Sequence, residues 1–287
     1  MKILVYTDGS DQAEEAASLL RSLGAATGAE VTILGVSEMS ADNPAVEQSA
    51  DRIEQDLEQE GSEVKTVLKS GEPTNELVDE AKRGSYDLVI VARTPKRRPA
   101  RLALRSTTKQ LAKNVPAHLL ITRNVPDKLR RILICTGAEE PSEDTIKLAG
   151  LLTAGSGAEV FLLHVMSQVA LRADSHAEDL EETAEQAMDH HTPEGDHLAH
   201  AVETLRQLGV ESDITPLIRH GLVVDEVLTE IKEGDYDLLV LGSHRQPTMT
   251  RWMDVLLEDV AGELLRKAPI STLVIHQQTQ LDSATEK

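Results

Sequence analysis

Cysteine is almost absent: Cys135 is the only one in 287 residues. A lone thiol excludes an intrachain disulfide framework and any cysteine-based zinc cluster. Aromatic residues are nearly as scarce, with one Phe, one Trp and three Tyr. That is too few for the stacking platforms that bind single-stranded nucleic acid. No apolar run approaches the roughly 20 residues that span a bilayer. Positive charge is in deficit, 29 Lys and Arg against 49 Asp and Glu for a net −20, which argues against coating phosphate backbones. What remains is 40% hydrophobic, enough for packed cores over about two domain lengths. The expectation is a cytoplasmic, disulfide-free protein that takes neither nucleic acid nor membrane.

The chain repeats itself. Lys2-Ile3-Leu4-Val5-Tyr6-Thr7 returns 129 residues later as Arg131-Ile132-Leu133-Ile134-Cys135-Thr136. Gly28-Ala29-Glu30-Val31 returns at the same spacing as Gly157-Ala158-Glu159-Val160. Gly84-Ser85-Tyr86-Asp87-Leu88 returns as Gly234-Asp235-Tyr236-Asp237-Leu238, now 150 residues on, and Gly71 and Gly221 keep that second spacing. The second half therefore carries 21 extra residues between its second and third strands. Domains are expected at 1–126 and 127–277, with an acidic, histidine-rich helical segment inserted at about 172–205 and a flexible tail at 278–287.

Each half alternates strand and helix. Ile3–Tyr6, Val31–Val36, Val64–Leu68, Asp87–Val91 and His118–Thr122 read as strands. Between them, 11–23, 43–60, 74–83 and 106–114 have helical spacing, and Gly24 stands where the first helix should end. Ser10 and Glu14 look like a capping pair for that helix. Nearly continuous apolar strands separated by helices imply a parallel, doubly wound α/β sheet. Thr122–Arg130, with Pro126, is the linker.

In both halves this ordered set resembles the universal stress protein family. The residues that carry the resemblance are Asp8-Gly9-Ser10, Ser70-Gly71-Glu72-Pro73, Tyr86-Asp87-Leu88-Val89-Ile90-Val91, and Tyr236-Asp237-Leu238-Leu239-Val240-Leu241-Gly242-Ser243-His244. The resemblance implies two Rossmann-like domains, each a five-stranded parallel sheet in the order 3-2-1-4-5. It further implies a ligand beyond the carboxyl ends of strands one and four, where doubly wound sheets bind. The site residues so implied are Thr7 and Asp8, Val36, Ala92 and Arg93, Arg105, Ser106 and Thr107 in the first half, and Gly242 and Ser243 in the second.

Nucleotide-binding members hold phosphates in a loop of Gly, two residues, Gly, nine residues, Gly, then Ser or Thr. Glycines let backbone N–H groups reach the oxygens, and the hydroxyl opens a helix whose N-terminus favours anions. Here those positions read Ala92, Pro95, Arg105 and Ser106, so only the hydroxyl is kept. Pro95 offers no N–H, and Arg105 fills space a glycine leaves open. The same loop carries Arg93, Lys96, Arg97, Arg98, Arg101, Arg105 and Lys109 with no acid. Side-chain cations there suit an ATP- or AMP-like nucleotide or another anion; the alternative is a basic loop docked on an acidic surface of the same chain. In the second half Gly242 and Ser243 stay, Arg245 replaces the next glycine, and Glu258-Asp259 fall where Gly-Ser would stand. Each carboxylate about 4 Å from a phosphate charge costs on the order of 4 kcal/mol at an effective dielectric of about 20. Asp8 maps to Gly137, so the aspartate is lost as well.

Charge divides unevenly: 16 Lys and Arg face 19 Asp and Glu up to residue 126, and 13 face 30 beyond it. Between Arg172 and Arg206 there is no cation, and His176, His190, His191, His197 and His200 sit among the acids. His197 and His200 share a helix face, acceptable for a metal pair, but an exposed acidic helix pair broken at Thr192-Pro193-Glu194-Gly195 accounts for the composition and no metal is assigned. Gly-x-Ser-x-Gly is absent and no catalytic residue is assigned. Cys135, His118 and His164 fall on strands as core or interface residues, and Trp252 packs beneath the extended loop. The terminal strands, 118–122 and 272–276, are sheet edges expected to pair the two halves with each other. A homodimer and an unidentified protein partner complete the expectation of a non-catalytic stress-response sensor or adaptor. The alternative is a nucleotide binder, or slow ATP hydrolase, using Asp8 and the arginine-rich loop.

Overall fold

The computed structural model describes residues 1–23, 28–38, 43–92, 103–137, 141–166, 183–243 and 253–276. The side chains of 103–107, 109, 141–144 and 253–259 lie outside that description. So do Gly24, the basic loop from Arg93 through Arg101, the acidic stretch as far as residue 182, Arg245, Trp252 and the tail.

The first half runs β1 (Lys2–Thr7), α1 (Asp11–Ser22), β2 (Glu30–Ser37), α2 (Pro44–Gln59), β3 (Glu63–Ser70), α3 (Pro73–Gly84), β4 (Leu88–Ala92), α4 (Ala103–Asn114) and β5 (His118–Thr122). The second runs β6 (Arg131–Thr136), α5 (Pro141–Thr153), β7 (Glu159–Met166), α6 (Ala184–Asp189), α7 (Pro193–Gln207), β8 (Ile214–His220), α8 (Val223–Gly234), β9 (Leu238–Ser243), α9 (Met253–Lys267) and β10 (Ser271–His276). The ten strands among the described residues join in one sheet, β3-β2-β1-β4-β5-β10-β9-β6-β7-β8. Each half is the expected parallel 3-2-1-4-5 arrangement. The terminal strands meet as expected, antiparallel, with Leu120 opposite Leu273 and Leu119 opposite Val274.

Burial on both faces of the sheet explains the unbroken apolar strands. Ile3, Val5, Ile33, Ile132 and Ile134 face α1, α2, α5 and α7; Leu4, Leu34, Leu133 and Val89 face α3, α4, α8 and α9. Both cores run through the junction, because Leu120 and Leu273 belong to one and Leu119 and Val274 to the other. The linker is tied down rather than loose. Arg123 N–H donates to Ser271 Oγ (3.0 Å), Ser271 Oγ donates to Arg123 O (3.1 Å), and the Arg123 guanidinium reaches Ile270 O and Leu265 O.

The repeated Gly-x-Tyr-Asp block is a structural device in both halves. A Cβ on Gly84 or Gly234 would come within 2.1 Å of the Tyr86 or Tyr236 ring. The residues between, Ser85 and Asp235, are left-handed at φ 51° and 52°. Each tyrosine hydroxyl donates to a buried glutamate: Tyr86 to Glu80 Oε1 (3.3 Å) and Tyr236 to Glu230 Oε1 (2.6 Å). Lys69 and Arg83 complete the first network, and Arg219 the second. Asp87 and Asp237 accept the first backbone N–H of β1 and β6, from Lys2 (2.7 Å) and Arg131 (3.1 Å).

Two expectations change. Ser10 stands at the N-cap of α1 in extended conformation, but its hydroxyl makes no cap bond; Glu14 turns to Arg52 of α2 at 2.7 Å instead. The acidic helix pair is not simply exposed. α7 buries Leu198, Ala201 and Leu205 against the sheet, as α2 buries Ala50, Ile53 and Leu57, and its Gly195 lies against the Ala187 backbone of α6. Its end, Gln207-Leu208-Gly209, matches Gln59-Glu60-Gly61 at a spacing of 148. Of the 21 extra residues, 19 therefore precede the end of α7, the counterpart of α2, and two follow it; α6 packs beside α7 through Ala184 and Ala187.

Replacing Glu230 by Ala leaves Arg219 and Tyr236 without their shared acceptor, an expected loss of about 2–3 kcal/mol, read as a lower urea midpoint at unchanged slope. Burial pushes the Glu80 carboxyl up, but the bond and charge of Lys69 outweigh it, so the net position is below the ordinary 4.5. Its contribution is held above that pH and is lost as pH falls through the lowered value, so Glu80→Gln is expected to flatten the acid limb of the stability curve.

Candidate functional site

In the first half β1 and β4 run in register, Tyr6 beside Val91, so Thr7 and Ala92 end together at the carboxyl edge of the sheet. Thr7 is fully buried. Its hydroxyl shares a hydrogen bond with Ser49 Oγ of α2 (2.8 Å) and accepts the Gly9 N–H (3.1 Å). Gly9, at φ +82°, lies under the start of α2, where a Cβ would meet the Ala45 backbone at 2.9 Å. Asn43 fixes that helix start, with Oδ1 accepting from Ala45 N (3.1 Å) and Nδ2 donating to Ser37 Oγ (3.3 Å). Val36 is buried at the end of β2. Asp8 is exposed at the rim and accepts the Ser10 N–H at 3.1 Å. Burial drives the Tyr6 hydroxyl far above its ordinary range, and the charges of Asp8, Glu38 and Glu72 add to it. The rim of β1, β2 and β3 is thus acidic.

Thr7, Asp8, Val36 and Ala92 are brought to one end of the sheet. Arg105, Ser106 and Thr107 lie in the first turns of α4, the helix leaving the carboxyl side of β4; their side chains, and the whole of Arg93, lie outside the described residues.

The second half ends its strands differently. Thr136 Oγ1 lies 2.6 Å from His197 Nε2 of α7. His164 Nδ1 of β7 donates to Thr136 O at 3.1 Å. The two imidazoles meet edge to face, centroids 6.3 Å apart. Burial pushes His164 below the ordinary imidazole range, opposed by its bond to Thr136 and by Glu194 and assisted by His220. Burial lowers His197 too, with His164 and His200 adding to the effect. Burial thus favours the neutral form of both rings. By the spacing of 148, His197 stands on α7 where Ser49 stands on α2. Its role as partner to the strand end was absent from the expected site residues, although the Gln-x-Gly match would have revealed it.

Gly242 and Ser243 close β9, Gly242 exposed and Ser243 half-buried beside His276. A Cβ on Gly242 would lie 2.5 Å from Thr145 Oγ1 of α5, so packing of α5 by itself demands a glycine here. His118 and His164 are interface and core residues as expected: His118 Nδ1 accepts the His276 N–H across the junction at 3.1 Å. Cys135 lies on β6 with its thiol pushed up by burial, unsuited to nucleophilic chemistry. Among the described residues no group of three His, Cys, Asp or Glu could hold a metal ion, and no helix is long and apolar enough to cross a membrane.

The family model described as the universal stress protein family matches residues 1–123 and 128–276. Among solved structures, a universal stress protein from Archaeoglobus fulgidus DSM 4304 is 16% identical with a TM-score of 0.61, covering 96% of this chain and 98% of its own. A putative universal stress protein from Pseudomonas aeruginosa UCBPP-PA14 is 16% identical at 0.64, over 96% of this chain and 92% of that one. A functionally unknown protein from Pseudomonas aeruginosa PAO1 is 15% identical at 0.63 over the same shares. At these identities the likeness is one of fold, and it spans both halves. No curated protein matches the chain.

Gly242→Ala forces Thr145 aside in a packed layer, with an expected cost of about 1–3 kcal/mol in denaturant unfolding. A neutral result would remove the packing reason for the glycine.

Proposed function

The chain belongs to the universal stress protein family, and on that premise we propose that it is a non-catalytic sensor or adaptor of the stress response, without ATP binding in the family's manner. One observation carries the reading. The strand end that would open onto a ligand in the second half is already engaged by its own side chains, Thr136 by His197 and His164. The sequence supports it further. Ala92, Pro95 and Arg105 replace the first half's loop glycines, Arg245 and Glu258 replace two of the second's, Asp259 replaces its hydroxyl residue, and Asp8 becomes Gly137. A triphosphate needs bare main-chain N–H groups at such positions. The protein so read is cytoplasmic and works through a protein partner or a homodimer.

A second reading rests on the first half alone. Asp8 is exposed at the carboxyl edge of β1, beside Ala92 and the helix that carries Arg105, Ser106 and Thr107. This end suits a nucleotide or other anion held by side-chain cations, and slow ATP hydrolysis would also begin here.

Thermal unfolding and calorimetric titration of the full chain with Mg-ATP separate the two. The expected result is little shift and no micromolar affinity. Magnesium-dependent micromolar binding, lost in Asp8→Ala, would overturn the first reading in favour of the second.

A further inference from the structure

We infer that the second half carries a proton-operated latch: His164 and His197, joined through Thr136, pin the start of α7 to the carboxyl ends of β6 and β7 and release it when the rings take up protons. This goes beyond the sensor reading, and it holds whether or not the first half takes a ligand.

The geometry is a three-residue bridge between layers. Thr136 ends β6 and offers two atoms: its carbonyl accepts His164 Nδ1–H at 3.1 Å, and its hydroxyl lies 2.6 Å from His197 Nε2. β7 is thereby joined to α7 through β6. The imidazoles face each other at 6.3 Å, so two added protons would place two cations side by side in a half-dry site. The described groups nearby are few. From β8, His220 faces His164, and its Nε2 is enclosed with no hydrogen-bond partner among the described residues. From α7 itself come Glu194, which favours the proton on His164, and His200, which disfavours it on His197. α5 and α6 also pack on α7; their described charged groups, Lys147, Glu185 and Asp189, lie exposed. Among the described residues, then, one carboxylate stands with four imidazoles. Burial keeps both bridging rings below the ordinary value of 6.5. The folded state binds fewer protons than the released one, so the latch is fully held above that value and weakens as pH falls through the lowered ones.

The first half supplies the comparison. There the same two positions are Thr7 and Ser49, 2.8 Å apart, and neither titrates. α2 is thus a non-titrating counterpart of α7 within one molecule.

Hydrogen exchange of the full chain at about pH 7.5 and about pH 5, either side of the ordinary imidazole range, tests the latch. Protection of α7 relative to α2 is expected to fall by roughly tenfold per pH unit for each proton taken up. His197→Ser, which copies the first half's arrangement, is expected to remove that pH dependence. The inference is overturned if α7 and α2 lose protection together in acid, or if His197→Ser keeps the difference. Should that variant not fold, NMR titration of the histidine ring protons in the unaltered chain decides. His164 and His197 titrating below free imidazole support the latch, and either one titrating at or above it contradicts it.

Discussion

A threonine hydroxyl at the carboxyl end of each half's first strand governs what the two strand ends can do. It is buried, must be bonded, and takes its partner from the helix that precedes the third strand. In the first half the partner is Ser49, small enough to leave the rim to Asp8. In the second it is His197, which brings a ring and, with His164, a second ring over the same place. One exchange in a helix thus gives the two strand ends different partners. The two halves share a fold but not the side chains at these strand ends.

The antiparallel union of β5 and β10 adds a second constraint. Strands of the two halves point in opposite directions across a continuous sheet, so their carboxyl ends emerge at opposite sides. Thr7 and Thr136 cannot serve one ligand between them. The two rims are therefore independent surfaces on a common core, which Arg123 and Ser271 lock at the junction.

Much of this was legible in the sequence because repetition fixes correspondence. The spacings of 129 and 150 gave the strand pairs, and the strand order then made the terminal strands edges in need of partners. The capping of α1 was not legible: a serine at the right place says nothing of whether a nearby carboxylate, Asp8, has already taken its backbone N–H. Nor was the burial of α7, because counting acids across 172–205 hides the apolar positions Leu198, Ala201 and Leu205. Gly242 read as a remnant of a phosphate loop, whereas Thr145 beneath it is a sufficient reason for glycine. Motifs report that a residue type is required at a position, and only the neighbours say by what.

Native mass spectrometry of the full chain with excess Mg-ATP tests most directly whether the second half's strand end is closed by its own residues. The account predicts that the bare chain persists, with one adduct at most and that one sensitive to the first half. Two nucleotides on a single chain, both retained at matching affinity, would contradict it.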